Sequence, residues 1–330
     1  MKKEWNIENL MKLGWQFCDS RIFFTALELR LFDTILNEWK SAEEIAETLG
    51  TNLRGTTILL NALAALGFLN KDNGKYRINE QLVKFIDPKS PNCARGILEH
   101  MVHLWESWNN LTPVVKGDLK IEEISVLSKG EDRLTTFIQA MDVVARSRAD
   151  SIVKAVNPGE AKKLLDVGGA SGTYAVAFLK ASSNLQATLF DLPDVIEIAR
   201  EKLQDTEFWP RINLVAGDFY KDPLPEGHDL VFLSAIIHQN SLEQNEEVFK
   251  KAYDALIPGG RVVIRDYVMN ETKTAPPGGA IFAVNMLVNT PGGNTYSFSE
   301  IKNALERSGF KKIRMIQERD DMDSLVEAYK

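Results

Sequence analysis

Four apolar runs in the second half of this 330-residue chain each hand over to polar residues that suit one kind of ligand. In the first, Leu164-Leu165-Asp166-Val167-Gly168-Gly169-Ala170-Ser171-Gly172, a carboxylate and a glycine-rich turn precede a helical stretch from Thr173 to Lys180. Glycine lets the backbone approach a ligand, and a helix N-terminus offers free N–H groups. The second, Leu185 to Phe190, ends at Asp191, 25 positions after Asp166, within Phe190-Asp191-Leu192-Pro193. A carboxylate at that strand tip can accept hydrogen bonds from both ribose hydroxyls of an adenosine. The third, Ile212 to Ala216, ends in Gly217-Asp218-Phe219, where Asp218 suits an adenine amino group and Phe219 the ring face. The fourth, Asp229 to Leu233, leads to Ser234 and then His238. Any one of these residues could be a cap or a turn residue. Four in succession point to a single adenosine ligand.

The spacing separates two adenosine cofactors. A dinucleotide turn has the form G-x-G-x-x-G. Here the pattern is D-x-G-x-x-x-G, close to D-x-G-x-G-x-G with Ala170 in place of one glycine, and no basic residue stands by for a pyrophosphate. S-adenosylmethionine is the expected cofactor.

The elements that must position these residues alternate strand and helix from Lys163 onward, which implies a mainly parallel, doubly wound sheet. Pro258-Gly259-Gly260 announces a fifth strand, Arg261 to Asp266. Lys311 to Gln317 and Ser324 to Tyr329 read as a closing antiparallel hairpin, which fits a methyltransferase sheet and not a dinucleotide one. Residues 1–155 read as a separate helical domain, with 156–330 as the α/β domain. Met11 to Leu36 gives one or two amphipathic helices. Ser41 caps a short helix to Leu49, and Arg54 to Leu66 forms the next. Two short strands then flank Asn73-Gly74, a hairpin turn, and complete a winged-helix unit. His100 to Gly117 and Glu131 to Val156 read as further helices, the latter walling the cleft.

Composition bounds the rest. Hydrophobic residues make up 44% and charged residues 26%, as in a soluble globular protein. A net charge of −7 argues against nucleic acid or an anionic membrane as partner. The would-be recognition helix carries one basic residue, Arg54, so dimerisation suits it better than DNA binding. Cys18, Cys93 and the four histidines have no metal-ligand spacing, so no metal is expected. The N-terminus leads into no apolar signal region and no run is long enough to span a bilayer, so a cytoplasmic enzyme is expected.

Nearly the whole chain resembles the class I O-methyltransferases of the plant caffeic acid and animal acetylserotonin type, which have bacterial members acting on small secondary metabolites. The resemblance runs from Ala26-Leu27-Glu28-Leu29-Arg30-Leu31-Phe32-Asp33 to Glu327-Ala328-Tyr329-Lys330. Its most specific pieces are Leu165-Asp166-Val167-Gly168-Gly169, Phe190-Asp191-Leu192-Pro193, Gly217-Asp218-Phe219 and Ile236-Ile237-His238. It implies a Rossmann-like catalytic domain and a winged-helix dimerisation domain that forms a homodimer. It implies a cofactor set of Asp166, Gly168, Gly169, Asp191, Leu192, Asp218, Phe219 and Ser234. Phe137, Met141, Met286 and Asn289 would line the substrate pocket. His238 would be the general base and Asp266 its carboxylate partner.

The chain departs from the family at this last point. His-Asp-Trp is usual; His238-Gln239-Asn240 stands here. Two glutamates usually flank the base, but the first position is Asp266 and the second falls at Asn294-Thr295, which has no carboxylate. The expectation is methyl transfer to a hydroxyl of a small aromatic substrate. The departures keep open methylation of carbon or nitrogen, or a non-methylating reaction; a winged-helix DNA-binding regulator is the reading from another class.

Overall fold

A computed structural model describes residues 5–119, 121 and 131–330. Residues 1–4, part of the leader reading, lie outside it. The chain forms two compact units, 1–105 and 106–330.

The first unit begins with α1 (Ile7–Glu28), capped by Asn6, and the short α2 (Leu31–Thr34). β1 (Lys40–Ser41) leads into α3 (Ala42–Leu49) through a capping box in which Ser41 and Glu44 satisfy each other's backbone N–H. Asn52 caps α4 (Leu53–Ala65). β2 (Leu69–Asp72) and β3 (Lys75–Ile78) form the expected hairpin, whose Asn73 and Gly74 both take the positive φ that a two-residue turn of this kind demands. β1 pairs with β3 to complete a small sheet. α5 (Glu80–Ile86) and most of α6 (Arg95–Trp108) follow. Leu31, Phe32, Ile45, Leu60, Leu63 and Tyr76 fill the core between helices and wing.

In the second unit come α7 (Leu111–Lys116), α8 (Glu131–Arg146) and α9 (Ala149–Val156). Two single helices expected from the sequence are thus each divided. His100 to Gly117 breaks between α6 and α7. Glu131 to Val156 breaks at Ser147-Arg148, where the Arg148 guanidinium pairs with Asp323 at 3.2 Å. The units part after Trp105, where the sequence suggested 155: α8 and α9 pack on the helix that follows the glycine turn and so cohere with the second unit.

The sheet of this unit holds seven strands in the order β11-β12-β8-β7-β4-β5-β6. β4 (Lys163–Val167), β5 (Gln186–Asp191), β6 (Ile212–Ala216), β7 (His228–Ser234) and β8 (Leu256–Asp266) run parallel. The hairpin of β11 (Lys311–Gln317) and β12 (Ser324–Tyr329) adds antiparallel through β12. Leu164, Leu165 and Val167 of β4 are all fully buried, because helices cover both faces of the central strands. On one face lie α9, α10 (Thr173–Ala181) and α11 (Pro193–Leu203); on the other, α12 (Leu242–Ala255) and α14 (Phe298–Arg307). Between the last two helices, β9 (Val268–Met269) pairs with β10 (Tyr296–Ser297) around α13 (Pro277–Asn289). Among the described residues no helix is long and apolar enough to cross a membrane.

Candidate active site

The carboxyl ends of β4, β5, β6 and β7 form the crevice where ligands bind in open α/β sheets. Gly168 leaves β4 with φ +66°, and a methyl group added to it would lie 2.5 Å from the Ile236 Cδ1. The turn can therefore run there only without a side chain. The Phe219 ring lies next to the same point. Ala170, at the replaced glycine, holds φ +49°. That left-handed conformation costs an alanine about 1 kcal/mol.

The turn is held from both sides. Asp191 Oδ2 accepts from the Ala170 N–H at 2.9 Å and its Oδ1 from the Leu192 N–H at 2.8 Å. Each oxygen keeps a lone pair for a ligand. Burial raises Asp191 to about 6. Asp166 lies under the turn, 1% exposed, and is raised to about 7 by burial and by the neighbouring Asp191. From outside, Lys202 of α11 donates to Ser171 Oγ at 3.0 Å, to Thr173 Oγ1 at 2.9 Å and to Asp142 of α8. Burial alone would raise Asp142, but its bonds from Lys202 and Thr173 hold it below the usual carboxylate range.

Further along the crevice the expected residues are more committed. Asp218 Oδ1 accepts from the Tyr220 N–H at 2.9 Å, while Oδ2 pairs at 3.0 Å with Lys221, an exposed side chain. Ser234 Oγ accepts from Arg265 Nη1 at 3.1 Å. Phe137 of α8, like Ala170 and Leu192, packs against the cluster of Leu134, Ile138 and Val195.

His238 sits in a short 3₁₀ turn, Ile237–Gln239, directly after β7. Its Nδ1 lies 3.0 Å and 2.9 Å from the two oxygens of Asp266, which is 1% exposed. The carboxylate accepts a hydrogen bond from Nδ1–H, so Nε2 is left as the acceptor. The ring stands edge-on to Phe282 of α13 at 4.9 Å. The backbone of the Pro291-Gly292-Gly293 loop closes on the same turn, with the Asn294 N–H donating to the His238 carbonyl at 2.8 Å. The Asn294 side chain instead accepts from the Thr295 N–H at 2.8 Å, and the Thr295 hydroxyl donates to the Gly279 carbonyl at 3.2 Å. Asp266 is thus the one carboxylate on the imidazole among the described residues.

Two sets of hydrogen bonds were not legible in sequence. Asn240, fully buried, accepts from Tyr220, donates to Asn245 Oδ1 at 2.9 Å and offers its carbonyl to Tyr296. It knots the His238 turn to α12, so its departure from the family pattern is structural. On α13, the Asn289 amide donates to the Asn285 carbonyl at 2.8 Å, and Trp108 Nε1 donates to Asn285 Oδ1 at 2.9 Å. Met286 is buried beside them, and Met141 stays partly exposed one turn beyond Phe137.

Comparisons with known proteins agree with one another. Residues 121–311 match the model of an O-methyltransferase domain, and residues 11–82 that of an O-methyltransferase dimerisation domain. The chain is 29% identical over 298 residues to 3-hydroxy-5-methyl-1-naphthoate 3-O-methyltransferase of Streptomyces sahachiroi, covering 88% of this chain and 86% of that one. It is 27% identical to the S-adenosyl-L-methionine-dependent methyl transferase PigF of Serratia sp. (strain ATCC 39006), covering 91% and 89%. The solved structure of PigF with SAH superposes with a TM-score of 0.90 at 25% identity, over 99% of this chain and 100% of that one. Human N-acetylserotonin methyltransferase in complex with SAM shares the fold with a TM-score of 0.84 at 23% identity, over 100% and 99%.

Proposed function

The chain belongs to the O-methyltransferase family, and from that premise we propose that it methylates a hydroxyl of a small aromatic or secondary-metabolite substrate with His238 as general base. S-adenosylmethionine is the methyl donor; when bound it supplies an electrophilic methyl on a positively charged sulfur. The strand-end crevice fits it. Gly168 leaves room that a side chain would close, Asp191 keeps lone pairs for a ribose, and Asp166 Oδ2 is buried without a hydrogen-bond partner.

The observation that carries the base assignment is the two-oxygen grip of Asp266 on Nδ1. It fixes one tautomer and leaves Nε2 free of that carboxylate. A hydroxyl is a weak nucleophile until its proton leaves. Nε2 takes that proton, and Asp266 stabilises the imidazolium that results. Phe282 packs on the ring and, with Met286 further along α13, supplies an apolar wall for an aromatic acceptor. Phe137, Met141 and Asn289 belong to the same proposed pocket.

The first unit supports a homodimer. Leu10, Met11, Leu13, Trp15 and Phe17 of α1 are all at least 46% exposed. That much exposed apolar surface on one helix is the kind a partner covers.

His238→Ala tests the assignment. With a panel of phenols and mass-spectrometric detection of the methyl ether, kcat falls roughly 10²–10⁴-fold, while S-adenosylhomocysteine binding stays at the wild-type level. An unchanged rate overturns the base role.

A further inference from the structure

The turn that carries His238 is held mostly from outside. It is a single 3₁₀ turn, Ile237–Gln239. Its own backbone bonds, Gln239 N–H to the Ile236 carbonyl and Asn240 N–H to the Ile237 carbonyl, are long at 3.3 Å and 3.4 Å. A shorter bond comes from α12, where the Asn245 amide, 1% exposed, donates to the Ile237 carbonyl at 2.9 Å.

That bond fixes the direction of a whole chain of donors and acceptors. A carbonyl only accepts, so the Asn245 atom against Ile237 is the amide nitrogen. The Asn245 oxygen then accepts from the Asn240 amide at 2.9 Å. This leaves the Asn240 oxygen facing the Tyr220 hydroxyl, which must donate. Asn240 is fully buried, so bulk water does not replace that donor. The tryptophan usual at this position could not close the chain, because an indole N–H donates and has no acceptor for a hydroxyl.

Tyr220 belongs to a different element. It follows Asp218 and Phe219, the residues expected at an adenine, in the loop after β6. Its N–H donates to Asp218 Oδ1 at 2.9 Å, and its ring tilts against Phe219 at 4.5 Å. Lys251 of α12 donates to the Phe219 carbonyl at 2.7 Å and ties the loop down. The hydroxyl therefore starts from a fixed loop at the end of β6 and reaches the turn of the base. Hydrogen bonds in such a chain polarise and strengthen one another.

We propose that Tyr220 is a positioning residue for methyl transfer: its hydroxyl, through Asn240 and Asn245, holds the Ile237 carbonyl and so sets where His238 presents Nε2. The proposal rests on the base role of His238 given above. It adds a residue of another loop on which that role depends. A reacting group misplaced by about 1 Å can lose on the order of 10²-fold in rate.

Tyr220→Phe removes one oxygen and keeps the ring against Phe219. Turnover of the phenol panel and proton NMR of the imidazole give the test. In this variant, shown folded by circular dichroism, kcat falls about tenfold, while KM for S-adenosylmethionine and for the phenol stay within about twofold. The His238 Nδ1–H signal, sharp and downfield in the wild type because Asp266 accepts that proton, broadens. Asn245→Ala lowers kcat likewise, and the double variant loses no more than the worse single one, because both cut the same chain. Where Asn245→Ala does not fold, Tyr220→Phe decides alone. Wild-type kcat in Tyr220→Phe overturns the proposal, as does an unchanged Nδ1–H signal beside a lowered kcat. Losses that multiply in the double variant overturn it too, as does a raised KM for S-adenosylmethionine that accounts for the lost rate. His238→Ala measured alongside separates the two readings. If it also keeps wild-type turnover, the base role falls with the proposal; if only Tyr220→Phe does, the base role stands.

Discussion

Asp166 and Asp191 hold carboxylates on adjacent strand ends, and burial raises them to about 7 and about 6. The direction of the pH effect follows. Between the ordinary carboxylate range near 4 and these raised values, the folded ligand-free chain keeps protons that the unfolded chain has released. Stability from this source is full below the unfolded value and is lost as pH rises through the folded ones. Thermal melts across that window should show Asp166→Asn with a flatter decline than the wild type; an identical slope would mean that Asp166 is not the group responsible. These carboxylates and the glycine between them were readable in sequence because each stands beside its own strand. Arg265 and Asp323 were not, since their partners lie tens of residues away. The one local signal was a charge, Arg265, at the end of the apolar run Val262-Val263-Ile264.

At the scale of elements, the glycine turn at Gly168 comes up against Ile236, the residue that caps the 3₁₀ turn carrying His238. Gly168→Ala would put a methyl 2.5 Å from the Ile236 Cδ1 at φ +66°. Left-handed strain and overpacking together cost about 2–4 kcal/mol. Ile236 would have to move, and His238 is two residues on. Both S-adenosylhomocysteine affinity and kcat should fall at least tenfold, measured by calorimetry and turnover; wild-type values for both would show that Ile236 yields without moving the base. Strand order and helix type were legible because apolar runs alternate with capped helices. The break between α8 and α9 was not, because the periodicity continues across it and the Arg148 pairing that marks it reaches Asp323.

For the whole molecule, the exposed apolar surface of α1 is what a second copy would cover. Trp15→Glu, at a residue 68% exposed, should shift the mass measured by light scattering from about twice 37.1 kDa towards one copy. A mass unchanged by the substitution would move the interface elsewhere. The sheet has a different consequence. β12 pairs along its length with β8, from Ser324 beside Asp266 to Tyr329 beside Arg261, and it is inserted between β8 and β11. During synthesis β8 emerges first, with Asp266 at its end, and waits for a neighbour that is translated 58 positions later. The first unit has by then been complete for most of the chain's synthesis. Until β12 emerges, β8 presents an open edge able to pair with the wrong strand. The ribosome and its chaperones therefore meet this enzyme with its first unit complete and its catalytic sheet still unclosed.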